Sequence, residues 1–316
     1  MAESVSIDFT GFDPVISGKV MRLLLVLDRI NAHPFLQPRL CLHGGTALNL
    51  FTLDMPRLSV DIDLNYIGSV ERTVMLDERP EVERAIVGVG NELGFHVIPG
   101  LAEHSGRSFR LQYQSDRGAD QVKIDVDYLN RSPLLPPQTK TLKLPTGAVV
   151  SFSVNRNIEL FAGKTKALLE RVAVRDLYDI SKINAIYSKA ASQNDEQLWH
   201  RIMLYYLSVS DPFPRTFEVA NRFAGRDREV ADALYPMLLA GDRPTLAAMI
   251  ADAETFIKTV SQPTDEAEAE YWARAARADF APELLFGSYP DTLAAARADP
   301  VAAWKMQNLT RSRVAQ

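Results

Sequence analysis

The chain has 316 residues, 47% of them hydrophobic and 24% charged, with a net charge of −5. That is enough apolar material for one large domain or two ordinary ones, and the acidic balance argues against a general nucleic-acid coat. No apolar run reaches the ~18 residues of a membrane span, the acidic start Met1-Ala2-Glu3-Ser4 lacks the regions of a leader, and the single Cys41 allows no internal disulfide, so a cytoplasmic protein is expected.

Along the chain, residues 14–31 carry Val15, Ile16, Val20, Leu23, Leu24 and Leu27 at helical spacing. Leu40-Cys41-Leu42 reads as a short strand that ends on Gly44-Gly45, and Thr46 is a candidate cap for a helix over the next residues. Residues 59–66 alternate Val60, Ile62 and Leu64 against Ser59, Asp61 and Asp63, the pattern of a strand with one apolar and one polar face. A helix is predicted over 80–95, then strands over 95–98, 108–114, 121–129 and 148–154. The proline-rich 132–137 is a loop. After residue 155 no strand is predicted. The candidate helices cover 157–172, 175–188, 196–208, 226–239, 244–260 and 266–278, and the helical pattern runs on to the end. The fold class is therefore α+β: a mixed-sheet domain over 1–155, followed by an all-α domain over 156–316.

Three constellations carry chemistry. Gly44-Gly45-Thr46, between a strand and a helix, has the form of a turn whose backbone N–H groups can meet a phosphate; a tight turn with no ligand explains it equally well. Asp61 and Asp63 share one face of a strand, and Lys123, Asp125 and Asp127 repeat the pattern on another. Either set alone is as simply explained by a face turned to water. Two such strands side by side would gather four carboxylates and a lysine, which needs bound cations or open solvent. Paired with the glycine turn, they point to metal-dependent chemistry on a nucleoside triphosphate. The third set is Lys164, Arg171 and Arg175, within about 40° of one another if they lie on one helix, followed by Asp176 and Asp179. Residues 155–189 hold seven Lys/Arg against four acids, whereas 265–299 hold eight acids against three arginines. A local basic surface suits a polyanionic substrate, and a solvated salt-bridged face is the plainer account.

The strings His43-Gly44-Gly45-Thr46-Ala47-Leu48-Asn49-Leu50, Arg57-Leu58-Ser59-Val60-Asp61-Ile62-Asp63-Leu64, Val122-Lys123-Ile124-Asp125 and Glu159-Leu160-Phe161-Ala162-Gly163-Lys164, with Arg171 and Arg175-Asp176-Leu177-Tyr178-Asp179-Ile180, resemble the AbiEii-type nucleotidyltransferases. The four blocks cover about residues 40–185. The resemblance implies a polymerase-β-like nucleotidyltransferase domain and a helical C-terminal domain that completes the active site. It also implies membership of the toxins of type IV toxin–antitoxin systems, whose MenT-type members transfer nucleotides to tRNA acceptor ends. Carried over by position, Gly44, Gly45 and Thr46 cradle the triphosphate, and Asp61 and Asp63 hold Mg²⁺ or Mn²⁺. Asp125 or Asp127 is the third metal acid, Lys123, Arg171 and Arg175 face the nucleotide, and Lys164 contacts phosphate. Asp176 is essential at the helical wall, and Arg175 and Asp179 support it.

The expected function is transfer of NMP from an NTP (ATP, GTP or CTP) to an RNA hydroxyl, at the 3′ end of a tRNA, by two-metal catalysis, with a cognate antitoxin as partner. The rival readings are a transferase acting on a small-molecule or protein hydroxyl, and a nucleotide-binding regulator without turnover.

Overall fold

The chain's structure, a computed structural model, describes residues 4–213 and 218–314. The start Met1-Ala2-Glu3, read above for a leader, lies outside the described residues. The chain forms two units: Met1–Arg156 with Met237–Leu239, and Asn157–Pro236 with Ala240–Gln316.

In the first unit, Asp13 caps α1 (Pro14–Ala32): its carboxylate accepts from the N–H groups of Val15 (2.8 Å) and Ile16 (3.1 Å). Pro14 takes the first helical position, where its missing N–H costs nothing. After β1 (Ser4–Ser6) and α1, the order is β2 (Leu40–His43), α2 (Gly44–Phe51), β3 (Asp61–Tyr66), α3 (Arg72–Glu92), β4 (His96–Pro99), β5 (Gly106–Ser115), β6 (Gly118–Asp127), β7 (Gln138–Lys143) and β8 (Val149–Val154). The strands form one mixed sheet in the order β1-β7-β8-β2-β3-β6-β5-β4. Ile62, Leu64, Ile124, Val126, Phe109 and Leu111 are buried on one face, the alternate residues of strands paired in register. α1 packs across β3, β6 and β8, and α3 packs on α1 and β4. Gly90 of α3 is needed for this fit, since a Cβ there would lie 2.4 Å from the Val97 side chain.

The second unit contains α4 (Asn157–Glu170), α5 (Val174–Ser192), α6 (Glu196–Ser208), α7 (Ala220–Phe223), α8 (Asp227–Glu229), α9 (Leu246–Val260), α10 (Glu266–Ala275), α11 (Glu283–Phe286), α12 (Pro290–Ala298) and α13 (Pro300–Val314). Its core includes an aromatic chain, Phe161–Trp199–Tyr187–Phe256, with successive ring centroids 6.0, 6.1 and 5.2 Å apart. The α+β class, a mixed sheet followed by a helical region, is borne out.

Several predicted elements are corrected. α2 begins at Gly44 after an extended His43, so Thr46 lies inside the first turn and caps nothing. α3 begins at Arg72, eight residues before the predicted start, and takes Pro80 into its interior. Its first half is held by tertiary contacts: Glu78 accepts from Arg39 (2.8 Å) and from the Tyr66 hydroxyl (2.6 Å), which outweigh one lost backbone bond. β1 and β7 were not predicted; β7 lacks apolar alternation and is a strand because its main chain pairs β8 on one side and β1 on the other. The helix predicted over 226–239 breaks into α8, a wide turn over Val230–Leu234 and a tight turn over Tyr235–Met237. Pro236 cannot continue the ladder, and the Met237 carbonyl accepts instead from the Leu58 N–H at 2.9 Å.

Candidate active site

β3 and β6 run parallel, with Asp61 opposite Lys123, Asp63 opposite Asp125 and Asn65 opposite Asp127. Paired residues of neighbouring strands point to the same side. The face opposite the apolar core therefore carries Asp61, Asp63, Lys123, Asp125 and Asp127 in two adjacent rows. β2 adds His43 opposite Asp63, and β5 adds Ser108 opposite Asp125. The first unit thus brings both predicted carboxylate strands side by side.

The glycine turn closes one end of these rows. Gly44 has φ +70°, and a Cβ there would stand 2.1 Å from Asp63 Oδ2. Only glycine permits both the left-handed backbone and the close carboxylate. A Cβ on Gly45 would meet Ser59 Oγ at 2.9 Å and Arg57 Nη2 at 3.1 Å. Thr46 is fully buried, and its hydroxyl donates to the Asp61 carbonyl at 2.5 Å, which ties α2 to the start of β3. Its side chain is thus engaged with protein, while its backbone lies in the helix's first turn.

Of the two acids that could serve as the third carboxylate, Asp125 stands beside Asp63. Its Oδ1 accepts from Ser108 Oγ at 2.5 Å, and its Oδ2 lies 2.6 Å from Lys123 Nζ. Asp127 is spent on the following turn: it accepts from the Leu129 N–H (2.6 Å), the Asn130 N–H (3.1 Å) and Asn130 Nδ2 (2.5 Å). Burial lowers the Lys123 proton affinity, but its hydrogen bond to Asp125 and the charges of Asp125, Asp61 and Asp63 outweigh that and raise it. Beside these acids lies a pocket of about 250 Å³, lined by His43, Asp63, Ser108, Asp125, Asp127 and Arg107 among others. Arg107 pairs with Glu83 and donates to the Gly100 carbonyl at 3.2 Å. Ser108 and Arg107 were not anticipated: no motif marks them, and only the β5–β6 register places them here.

Among the described residues no three of His, Cys, Asp and Glu are gathered as a metal cage. The donors nevertheless suit a hard divalent cation in kind: carboxylates from neighbouring strands, one of them lying against a glycine. At Asp125 the neighbouring charge is the Lys123 ammonium.

In the helical unit, Lys164, Arg171, Asp176 and Asp179 come together, but on two helices. α4 ends at Glu170 and α5 starts at Val174, so the single-helix stripe of Lys164, Arg171 and Arg175 does not exist. Ala173 is extended, and the chain turns there to bury Val174 and Leu177. The corner swings Asp176 and Asp179 back onto Lys164, whose Nζ lies 2.8 and 3.0 Å from their oxygens. Arg171 adds hydrogen bonds to Asp176 at 2.8 and 3.2 Å. Two cations meet two anions, so the group is formally neutral. Burial pushes the Asp176 carboxyl up, but the Lys164 charge and the Arg171 hydrogen bonds hold it below its ordinary value. Arg175, in the first turn of α5, has no ion-pair partner among the described residues. No helix of the described residues is long and apolar enough to cross a membrane.

The family model described as "Nucleotidyl transferase AbiEii toxin, Type IV TA system" matches residues 25–284. No curated protein matches the sequence. Among solved structures the fold is similar to MenT4, a nucleotidyltransferase toxin of Mycobacterium tuberculosis, with a TM-score of 0.57 at 19% identity over 84% of this chain and 94% of that one. It is also similar to JHP933 of Helicobacter pylori, with a TM-score of 0.50 at 14% identity over 79% of this chain and 93% of that one. At such identities the likeness is one of fold.

Proposed function

The chain belongs to the AbiEii family of nucleotidyltransferase toxins of type IV toxin–antitoxin systems, and from that premise we propose that it transfers NMP from an NTP to the 3′-terminal hydroxyl of a tRNA in the cytoplasm, with a cognate antitoxin opposing the effect. The observation that carries the catalytic reading is the in-register pairing of Asp63 with Asp125, beside a Gly44 that leaves no room for a Cβ.

Asp61, Asp63 and Asp125 would hold Mg²⁺ or Mn²⁺, which supplies neutralisation of charge on the transferring phosphate. Asp127 is left out because its oxygens cap the Leu129–Asn130 turn. The backbone N–H groups at the start of α2, from Gly44, Gly45 and Thr46, point to an anion at a helix N-terminus and would seat the triphosphate. Lys123, nearly half exposed on the same face, reaches phosphate from β6. The acceptor oxygen attacks the α-phosphorus, its proton passes to Asp125, and pyrophosphate leaves. In the helical unit we assign phosphate contact to Arg171, whose side chain is 67% exposed, and to Arg175. Lys164 and Asp176 position Arg171, because the Lys164 ammonium is engaged by two buried carboxylates.

The test is transfer of label from [α-³²P]NTPs, each of the four in turn, to total RNA, protein and small-molecule acceptors. Label is expected in tRNA, and Asp61→Asn and Asp63→Asn should each reduce it by about 10³-fold or more, roughly 4 kcal/mol of transition-state stabilisation. Label confined to protein or a small molecule sinks the RNA reading. Unchanged transfer and toxicity in both variants sink the catalytic one.

A further inference from the structure

Lys123 has a second part to play. Both oxygens of Asp125 are engaged, Oδ1 by the Ser108 hydroxyl at 2.5 Å and Oδ2 by the Lys123 ammonium at 2.6 Å. A divalent ion approaching Asp125 Oδ2 meets the Lys123 ammonium there, and two cations at one oxygen repel. Ser108 is a neutral hydroxyl on the other oxygen, so it can stay in place when a cation arrives. Lys123 is on a flexible four-carbon stem, 44% exposed, and is free to swing outward. It also lies directly opposite Asp61, so its charge serves the whole row and not Asp125 alone.

We propose that Lys123 is a tethered cation that competes with the divalent ion for Asp125 Oδ2, neutralising the carboxylate row until the ion displaces it. The inference rests on the metal reading of Asp61, Asp63 and Asp125 given above. It has two consequences. The row is kept from the like-charge repulsion that bare carboxylates two residues apart and one strand apart would suffer. The ammonium, once displaced, is released on the face where the triphosphate binds, so the ion's arrival frees a phosphate-binding group. Lys123 is thus a positioning residue before loading and a phosphate contact after it.

The experiment is a Mn²⁺ titration of the full-length chain without nucleotide, with free Mn²⁺ read by electron paramagnetic resonance, on the wild type, Lys123→Met, Lys123→Arg and Asp61→Asn. Lys123→Met should bind Mn²⁺ roughly two- to fivefold more tightly than the wild type, the scale of a partly exposed ion pair. Lys123→Arg, which keeps the cation, should stay near the wild type. A merely structural role for Lys123 would not move Mn²⁺ affinity in this direction. Equal or weaker binding by Lys123→Met, in a series where the wild type outbinds Asp61→Asn, overturns the competition alone. Equal binding by the wild type and Asp61→Asn removes the metal reading and this inference with it.

Discussion

The sheet unit and the helical unit each set a lysine against aspartates at closely similar distances. Lys123 lies 2.6 Å from Asp125, and Lys164 lies 2.8 and 3.0 Å from Asp176 and Asp179. The surroundings differ. Lys123 and Asp125 are 44% and 37% exposed, while Lys164, Asp176 and Asp179 are 5%, 2% and 0% exposed. In water the two charges of a pair separate cheaply, so the open row can trade its lysine for another cation. In the interior neither charge can return to water without unfolding, and the pair becomes part of the fold. Burial, not pairing distance, separates a set of carboxylates available to a ligand from one committed to structure.

The sharpest test of that contrast is Lys164→Met. It takes the Lys164 ammonium away from the buried Asp176 and Asp179 carboxylates, and should cost about 3–5 kcal/mol in urea unfolding of the full chain. Full stability with loss of transfer alone would mean that the buried set is catalytic and that the comparison is wrong.

Gly44→Ala puts a methyl into the space of the Asp63 carboxylate and forces a left-handed alanine. It should cost about 1–3 kcal/mol of stability and, by moving Asp63, reduce transfer about 100-fold. An active alanine variant would show that Asp63 does not need its place against the turn.

The buried set should also give an acid limb. The Asp176 carboxyl is held below its ordinary value when folded, so its contribution is complete above about pH 3.9 and is lost as the pH falls toward the folded value. Unfolding followed by circular dichroism between pH 5 and 2 should show the loss. The triple variant Lys164→Met, Asp176→Asn, Asp179→Asn removes the charges together and should flatten that limb while recovering most of what Lys164→Met loses. An unchanged limb would assign acid sensitivity elsewhere.

The smallest expected effect is that of Lys123→Met on stability, within about 1 kcal/mol of the wild type, because the pair it breaks is partly solvated. A cost near that of Lys164→Met would erase the distinction between the two regions.

The legible parts of this protein are those with a short period. Asp61-Ile62-Asp63-Leu64 and Lys123-Ile124-Asp125-Val126 announce strands with one polar face because alternation is a property of neighbouring residues. β7 was not legible: Gln138-Thr139-Lys140-Thr141-Leu142-Lys143 offers only Leu142 to the core, and its strand state comes from partners on both sides. The beginning of α3 was hidden because Pro80 reads as a helix start, and the ion pair from Arg39 to Glu78 that holds the earlier turns spans 39 residues. In the site, the glycine turn and four acids could be read directly, whereas Ser108 and Arg107 could not.

The sequence by itself determined the polar faces of β3 and β6, the glycine turn before α2 and the change to an all-helical chain after residue 155. These depend on backbone sterics and side-chain period, which act over a few residues. Only the tertiary structure decided that Asp125 stands opposite Asp63 while Asp127 caps a turn, that Ser108 and Lys123 share the Asp125 carboxylate, and that a corner after Glu170 folds Asp176 and Asp179 onto Lys164. Strand register and burial are set by distant segments, and the energy of a charge depends on how much water those segments leave around it.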